Sequence, residues 1–372
     1  MVRFGILALG LFGLAVGSGA NAQTLRLEPS GANDASRLQS ALDTMSRRGG
    51  GTVSLNAGVF RIASTVAMPS NVTLSGQGCG RTVIRREQQS RGQMMFRFDG
   101  VRNVRVNDIR FAFEGAPQYY RAMGFRGRGS QGIEIRRNCF DNNGPREGRG
   151  DRWAIELSAT DSASSDLTVV GNTVEGNLQL TAGGGRGVVR AVIADNTIIN
   201  GWANAIAVTS LADNAVFRDI TVEGNVIRQA RSIGIYIGPD KPSAGGGVFE
   251  DIRIRGNRIE GLQTRFGYGV MLRAPRQGFR RVTISHNLID GVGDAKKTAV
   301  RLMDDHGQGS REFSDVTICA NEVRNFSRGL WFESVSGANV YGNDMRTGRP
   351  YLVGGEANRG IALREGSGKK FC

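Results

Sequence analysis

Six phrases carry the fold: LTVVGN (167–172), AVIADN (191–196), ITVEGN (220–225), IRIRGN (252–257), VTISHN (282–287) and VTICAN (316–321). IEIRRN (133–138) precedes the series and NVYGN (339–343) follows it. Each alternates apolar with other residues, the period of a short strand, and each ends on asparagine. From Asn138 to Asn343 the asparagines lie 34, 24, 29, 32, 30, 34 and 22 residues apart. Self-similarity at roughly 20–50 residues marks a solenoid or array. The asparagine stands where the chain must turn, so left-handed backbone is expected there.

A second strand follows in each repeat: AIELS (154–158), LQLT (178–181), AIAVT (205–209), GIYIG (234–238), GVMLR (269–273), AVRLM (299–303), GLWFE (329–333) and GIALR (360–364). Stacking such repeats as parallel coils gives an all-β fold, a right-handed parallel β-helix in which each coil pairs with its neighbours. The asparagines then fall in one column and bond along the axis as a ladder. An open solenoid end is a bare sheet edge and needs a cover. Residues 35–48 supply one. Asn33 and Asp34 are placed to cap a helix whose Leu38, Ala41, Leu42 and Met45 form one apolar stripe. Gly49 stops it, and residues 49–78 read as three short strands with glycine turns.

Three stretches of this opening, NDASRLQSALD (33–43), GGGTVSLNAGVFRI (49–62) and PSNVTLSGQG (69–78), resemble the start of the pectate-lyase-like right-handed β-helix superfamily. With the asparagine phrases the resemblance covers most of residues 30–345. That superfamily includes secreted polysaccharide lyases, galacturonan hydrolases, uronan epimerases and phage tailspike depolymerases, so the resemblance implies a fold and a polysaccharide substrate but no single reaction. The paired motifs of polygalacturonase-type hydrolases are absent. Asp304-Asp305-His306 resembles the Asp-Pro-His trio of uronan epimerases, with Asp305 at the proline position.

The chain has 372 residues, 54 of them glycine, and the glycines follow no G-X-Y period, which excludes collagen. Its formal net charge is +14, and of 48 Lys+Arg only five are lysines. Arginine's planar fork suits carboxylate, sulfate and phosphate oxygens. Residues 1–22 read as a signal peptide: Arg3, an apolar run over 4–17 that is short for a membrane span, and Ala20-Asn21-Ala22 as the cleavage site. The mature chain is expected to start at Gln23, to form one domain over 23–372, and to be periplasmic or secreted, with no membrane span. Export argues against nucleic acid and for an acidic polysaccharide or envelope surface as the partner of the charge. The four cysteines allow three pairings; Cys319–Cys372 is favoured because it ties down the tail. No CxxC is present, which argues against zinc. No cofactor is expected; a calcium requirement is left open, with no motif to indicate it.

Strand alternation aims two columns of second-strand side chains outward. One reads Glu156, Gln179, Ala207, Tyr236, Met271, Arg301, Trp331; the other reads Ser158, Thr181, Thr209, Gly238, Arg273, Met303, Glu333. Eight coils at about 4.8 Å each make a groove on the order of 35 Å long, suited to a linear polymer. A uronide lyase or epimerase needs a base, a proton donor and a cation on the sugar carboxylate. Tyr236, Arg273, Arg301, Asp304, Asp305 and His306 are the candidate catalytic residues, and His306, beside two aspartates, is the sharpest. Asp240, Lys241, Trp331, Glu333, Glu156, Tyr119 and Tyr120 are the candidate substrate-binding residues. A glycoside hydrolase working through two carboxyls, Asp304 or Asp305 with Glu333, is the alternative. A non-catalytic carbohydrate-binding or envelope-assembly protein is the other. Lyase or epimerase is favoured because arginines outnumber carboxylates in the central columns. The oligomeric state is left open.

Overall fold

The computed structural model describes residues 23–86, 94–113, 120–141, 152–184, 186–211, 214–240, 247–264, 267–275, 277–304, 313–354, 358–364 and 372. Residues 1–22, read from the sequence as a signal peptide, lie outside them. Among the described residues no helix is long and apolar enough to cross a membrane.

The chain winds as a right-handed parallel β-helix. Thirteen parallel strands form one sheet, and it holds every asparagine phrase. Register passes from coil to coil without slippage: Ile193 opposes Val222, then Ile254, Ile284, Ile318 and Val340 in turn. A nineteen-stranded sheet carries the remaining two sides. It contains the short strands that follow each asparagine, such as Val226–Arg228 and Arg258–Glu260, and the second strands, such as Ile233–Pro239 and Tyr268–Ala274. The stretch GIALR is a correction. Arg359–Arg364 pairs with Val335–Tyr341 on the phrase-strand sheet. The second strand of that coil lies within Asp344–Gly354, where Tyr351 opposes Leu330.

The ladder forms as expected. Each asparagine from Asn138 to Asn321 is at most 1% exposed. Its Nδ2 donates to the Oδ1 of the next asparagine at 2.8–3.2 Å. The same Oδ1 also accepts from the earlier asparagine's backbone N–H. A further Nδ2 bond runs to a carbonyl one coil back, such as Asn225 to Ile193 O and Asn257 to Val222 O. Every polar atom of the amide is therefore used inside the turn. The left-handed residue is not the asparagine but the one before it: Arg137, Gly171, Asp195, Gly224, Gly256, His286, Ala320 and Gly342, at φ 51–67°. That displacement lets the asparagine point inward, and it accounts for the Gly, Asp or His in front of it. His286 is thereby a turn residue.

A second left-handed column crosses the phrase strands at Asp166, Arg190, Asp219, Asp251, Arg281 and Asp315. Its outward side chains pair along the axis, Arg190 to Asp166 at 2.6 Å and Arg281 to Asp251 at 2.7 Å. Inside, Phe217, Phe249, Phe279 and Phe313 stack with ring centroids 4.6, 4.8 and 5.0 Å apart. The helix Ala35–Arg47 buries Ala35, Leu38, Ala41, Leu42 and Met45 against the first coils. Asn33 Oδ1 caps Ala35 N at 3.1 Å, whereas Asp34, at the N-cap position, turns its carboxylate to Ser30 N and Arg37 instead. Residues 49–78 make four strands rather than three: Gly51–Leu55, Gly58–Arg61, Val66–Ala67 and Val72–Ser75. Cys319 pairs with Cys372, as expected for the tail, and Cys79 with Cys139.

Candidate functional site

The two outward columns exist as read. Glu156 opposes Gln179, then Ala207, Tyr236, Met271, Arg301 and Trp331 follow one per coil. Ser158, Thr181, Thr209 and Gly238 form the other. The open groove expected along them is not uniform. Glu156, Gln179, Ala207, Tyr236 and Met271 are all buried, as are Ser158, Thr181 and Thr209. The threonine hydroxyls bond each other, Thr181 to Thr209 at 2.9 Å. Partial exposure returns at Arg273 and Arg301.

Tyr236 donates its hydroxyl proton to Pro239 O. Burial pushes its pKa up, opposed by the Arg273 guanidinium and reinforced by Asp240. The phenol is therefore neutral near pH 7, a proton donor rather than a base. Arg301 is held from three sides. Nη1 donates to Tyr268 Oη and Nη2 to Glu333 Oε1, both at 2.8 Å. Its guanidinium lies 4.0 Å from the Trp331 ring centre, and Arg328 lies 5.0 Å from the same ring. Arg301 and Glu333 are only 14% and 18% exposed, so the pair is partly shielded from water. Asp304 accepts from Ser334 Oγ at 2.8 Å. Asp305, His306, Lys241 and Tyr119 lie outside the described residues, as does the side chain of Tyr120.

At the other end of the face Glu156 meets Arg121 at 2.5 Å, both almost fully buried, with Arg126 at 3.9 Å. Gly124 opposes Glu156 with φ +146°, and a Cβ there would sit 1.7 Å from Glu156 O. Only glycine fits. Asp99, Arg97 and Arg126 gather nearby: Asp99 accepts from Arg126 N at 3.0 Å and is ion-paired with Arg97, whose Nε lies 3.0 Å away.

Arg121 and Tyr268 were missed by alternation, and for one reason. Both share parity with core residues, Met123 and Val270, so period two assigns them inward. Each stands at a strand start, where a column of small residues (Ala154, Ala205, Gly234, Gly269, Ala299, Gly329) packs tightly against the next coil. A Cβ on Gly234 would lie 2.7 Å from Gly269 O, and one on Gly329 2.4 Å from Pro350 O. The chain bends there, and the preceding side chain serves the outer face. The small residue opening each second strand was the available signal.

Two adjoining hollows of about 390 and 360 Å³ lie on the phrase-strand sheet around Arg105 and Glu134. Their arginines are already ion-paired: Arg105 and Arg136 share Glu134, at 3.0 and 2.6 Å, and Arg137 meets Asp108 at 2.8 Å. That face is a solvated ion-pair ladder. Among the described residues no three His, Cys, Asp or Glu side chains converge as a metal site would require.

The family model described as rhamnogalacturonase A/epimerase, pectate lyase-like, matches residues 20–239. No curated protein matches the chain. Among solved structures, the A-module of mannuronan C-5 epimerase AlgE4 from Azotobacter vinelandii is 15% identical, with a TM-score of 0.56 over 87% of this chain and 95% of that one. A tailspike protein of E. coli bacteriophage HK620, in complex with a pentasaccharide, is 15% identical, with a TM-score of 0.60 over 91% of this chain and 62% of that one. A hyperthermoactive exopolygalacturonase from Thermotoga maritima is 10% identical, with a TM-score of 0.52 over 86% and 87%. At such identities the likeness to these structures is one of fold.

Proposed function

We propose, from the premise that the chain belongs to the rhamnogalacturonase A/epimerase family of pectate-lyase-like proteins, that it is an exported protein acting on an acidic polysaccharide along its second-strand face. The favoured chemistry is elimination or epimerisation at a uronic-acid unit. The observation that supports it is the joint placement of Tyr236, Arg273 and Arg301 on three successive coils. Tyr236 is a buried neutral phenol beside a guanidinium, suited to deliver a proton. Arg301 is held by Glu333, Tyr268 and Trp331, so its charge is aimed before substrate arrives. A sugar carboxylate would compete with Glu333 for that guanidinium, and Arg273 would take the same group from the neighbouring coil. We assign the base to His306, oriented by Asp305, on the sequence pattern. The neighbouring placement of Asp304 and Glu333 favours hydrolysis as the second reading.

The test is incubation of the purified protein with polygalacturonate, alginate and other acidic polysaccharides, following unsaturated uronide absorbance, new reducing ends and C-5 inversion by NMR. Absorbance or inversion supports the first reading, and reducing ends alone the second. Binding without product leaves a carbohydrate-binding protein. On an active substrate His306→Ala should lower turnover by roughly 10²–10⁴, the range for losing an acid–base group, with an unchanged circular dichroism spectrum. Full activity in that variant moves the chemistry toward Glu156.

A further inference from the structure

Among the described residues many arginines of the phrase-strand and short-strand sides pair with carboxylates, including Arg137, Arg190, Arg218, Arg255, Arg258 and Arg281. Two arginines at the strand-start edge of the second-strand face differ. Arg231 is exposed and lies 4.1 Å from the Trp202 ring centre. Arg328 lies 5.0 Å from the Trp331 ring. Neither has a carboxylate partner among the described residues. A guanidinium stacked on an indole keeps its N–H groups in plane and directed outward. It is immobilised as a fork for an anion without being neutralised.

These residues belong to a longer row. Strand pairing sets Asn204 beside Ile233, Ile233 beside Tyr268, Met271 beside Arg301, and Arg301 beside Trp331. Trp202, Arg231, Tyr268, Arg301 and Trp331 therefore occupy five successive coils, one each, with Arg328 on the coil of Trp331. Buried Asn177 fixes the first position by accepting from Trp202 N at 2.6 Å. Arg231 is tied by its backbone N–H to Gly201 O at 2.8 Å. Tyr268 is level with Thr298 and Arg328, and Arg301 and Trp331 stand three residues further along their strands, so the row runs obliquely across the face. Arg231 and Arg328 are three coils, roughly 14 Å along the axis, apart.

We propose that this row is a rail for an anionic polymer, in which Arg231 and Arg328 each take one acidic group of the chain while Trp202, Tyr268 and Trp331 lie against its sugar rings. It rests on the acidic-polysaccharide reading above and assigns that reading two recognition sites on either side of Arg301. The ligand class is a linear polysaccharide with carboxylate or sulfate groups recurring along it, long enough to span both arginines.

The experiment measures calorimetric affinities for polygalacturonate, alginate and dextran sulfate, with neutral dextran as control, and then for size-fractionated fragments of each binder. Carboxylate and sulfate sources are thereby separated. Arg231→Ala and Arg328→Ala should each weaken binding of fragments of about eight units or more by about 3–10-fold, the size expected of exposed charge-assisted contacts. Trimers should bind both variants like wild type, because they cannot span the two sites. Arg231→Lys, which keeps charge but not the planar fork, should recover only part of the loss. Thermal melting controls for fold. Wild-type-like affinity of both alanine variants at every length overturns the rail. Failure of wild type to bind any of the three polyanions overturns the acidic reading, and the rail with it.

Discussion

The asparagine side and the second-strand face of this molecule solve burial in opposite ways. On the asparagine side one polar group is repeated coil after coil, and each copy satisfies the next. Asn225 Nδ2 donates to Asn257 Oδ1 and Ile193 O at 2.9 Å, and Asn257 Nδ2 donates in the same way to Asn287 Oδ1 and Val222 O. On the second-strand face only the Ser158, Thr181 and Thr209 hydroxyls recur in a column, and the charged and phenolic groups do not repeat. Glu156 meets Arg121 once, Tyr236 meets Pro239 O once, and Arg301 is held by a trio found nowhere else among the described residues. Repetition spreads the cost of buried polarity over a column. Singular pairs concentrate it, and in a solenoid that is the mark of a surface shaped by something other than stacking.

The sharpest test of that contrast is Glu156→Ala. It leaves the Arg121 guanidinium buried without its carboxylate, and removing one partner of such a pair typically costs roughly 3–5 kcal/mol. Urea melts should show the loss. Replacing both members, Arg121→Met with Glu156→Leu, should recover most of it, because the desolvated charge goes too. If the single variant melts like wild type, water reaches Arg121 and the pair is not a buried one.

A ladder amide should cost less. Asn257→Ala deprives Asn225 and Val222 of their partners, and a buried group left unsatisfied costs about 1–3 kcal/mol. Asn225→Ala should behave alike, since the column is periodic. Unequal losses at these two rungs would show that the ladder's cost is local rather than shared.

How far the sequence disclosed this follows the same division. The ladder, the coil register and the outward columns were legible because a chemical signal recurs at every coil. The left-handed positions were placed one residue late, since the asparagine is the conspicuous member of each phrase while its predecessor bears the turn. GIALR carries the alternation of any strand of this fold, and only its pairing shows which sheet it joins. Arg121 and Tyr268 escaped because they stand where the strand bends at a small residue and period two fails, and Trp202 and Arg231 because they lie in the turns before Asn204–Ser210 and Ile233–Pro239, where no alternation applies. Asp305 and His306 rest on sequence alone.

The smallest expected effect belongs to the ion pairs of the phrase-strand side, which are repeated like the asparagines but face water. Arg190 forks onto Asp166, Nε to Oδ1 at 2.6 Å and Nη2 to Oδ2 at 2.9 Å. That bond, with help from Ser165 and the Arg190 charge, holds the Asp166 carboxyl down at about 2 against the opposing effect of desolvation. An unfolded aspartate titrates near 3.9. The folded value is the lower, so the pair's stabilisation is present above about pH 4 and is lost as pH falls toward 2. Asp166 is 38% exposed and Arg190 57%, so solvent and salt screen most of it. Asp166→Asn should shift the melting temperature by no more than about 2 °C at pH 7. That difference should shrink between pH 4 and pH 2, and also in about 1 M salt. Asparagine also tolerates the left-handed backbone of this position, so a difference that persists at pH 2 and in high salt would mean that Asp166 acts through packing. In that case the outer charges would be as structural as the inner amides, and the contrast between repeated and singular groups would no longer separate scaffold from site.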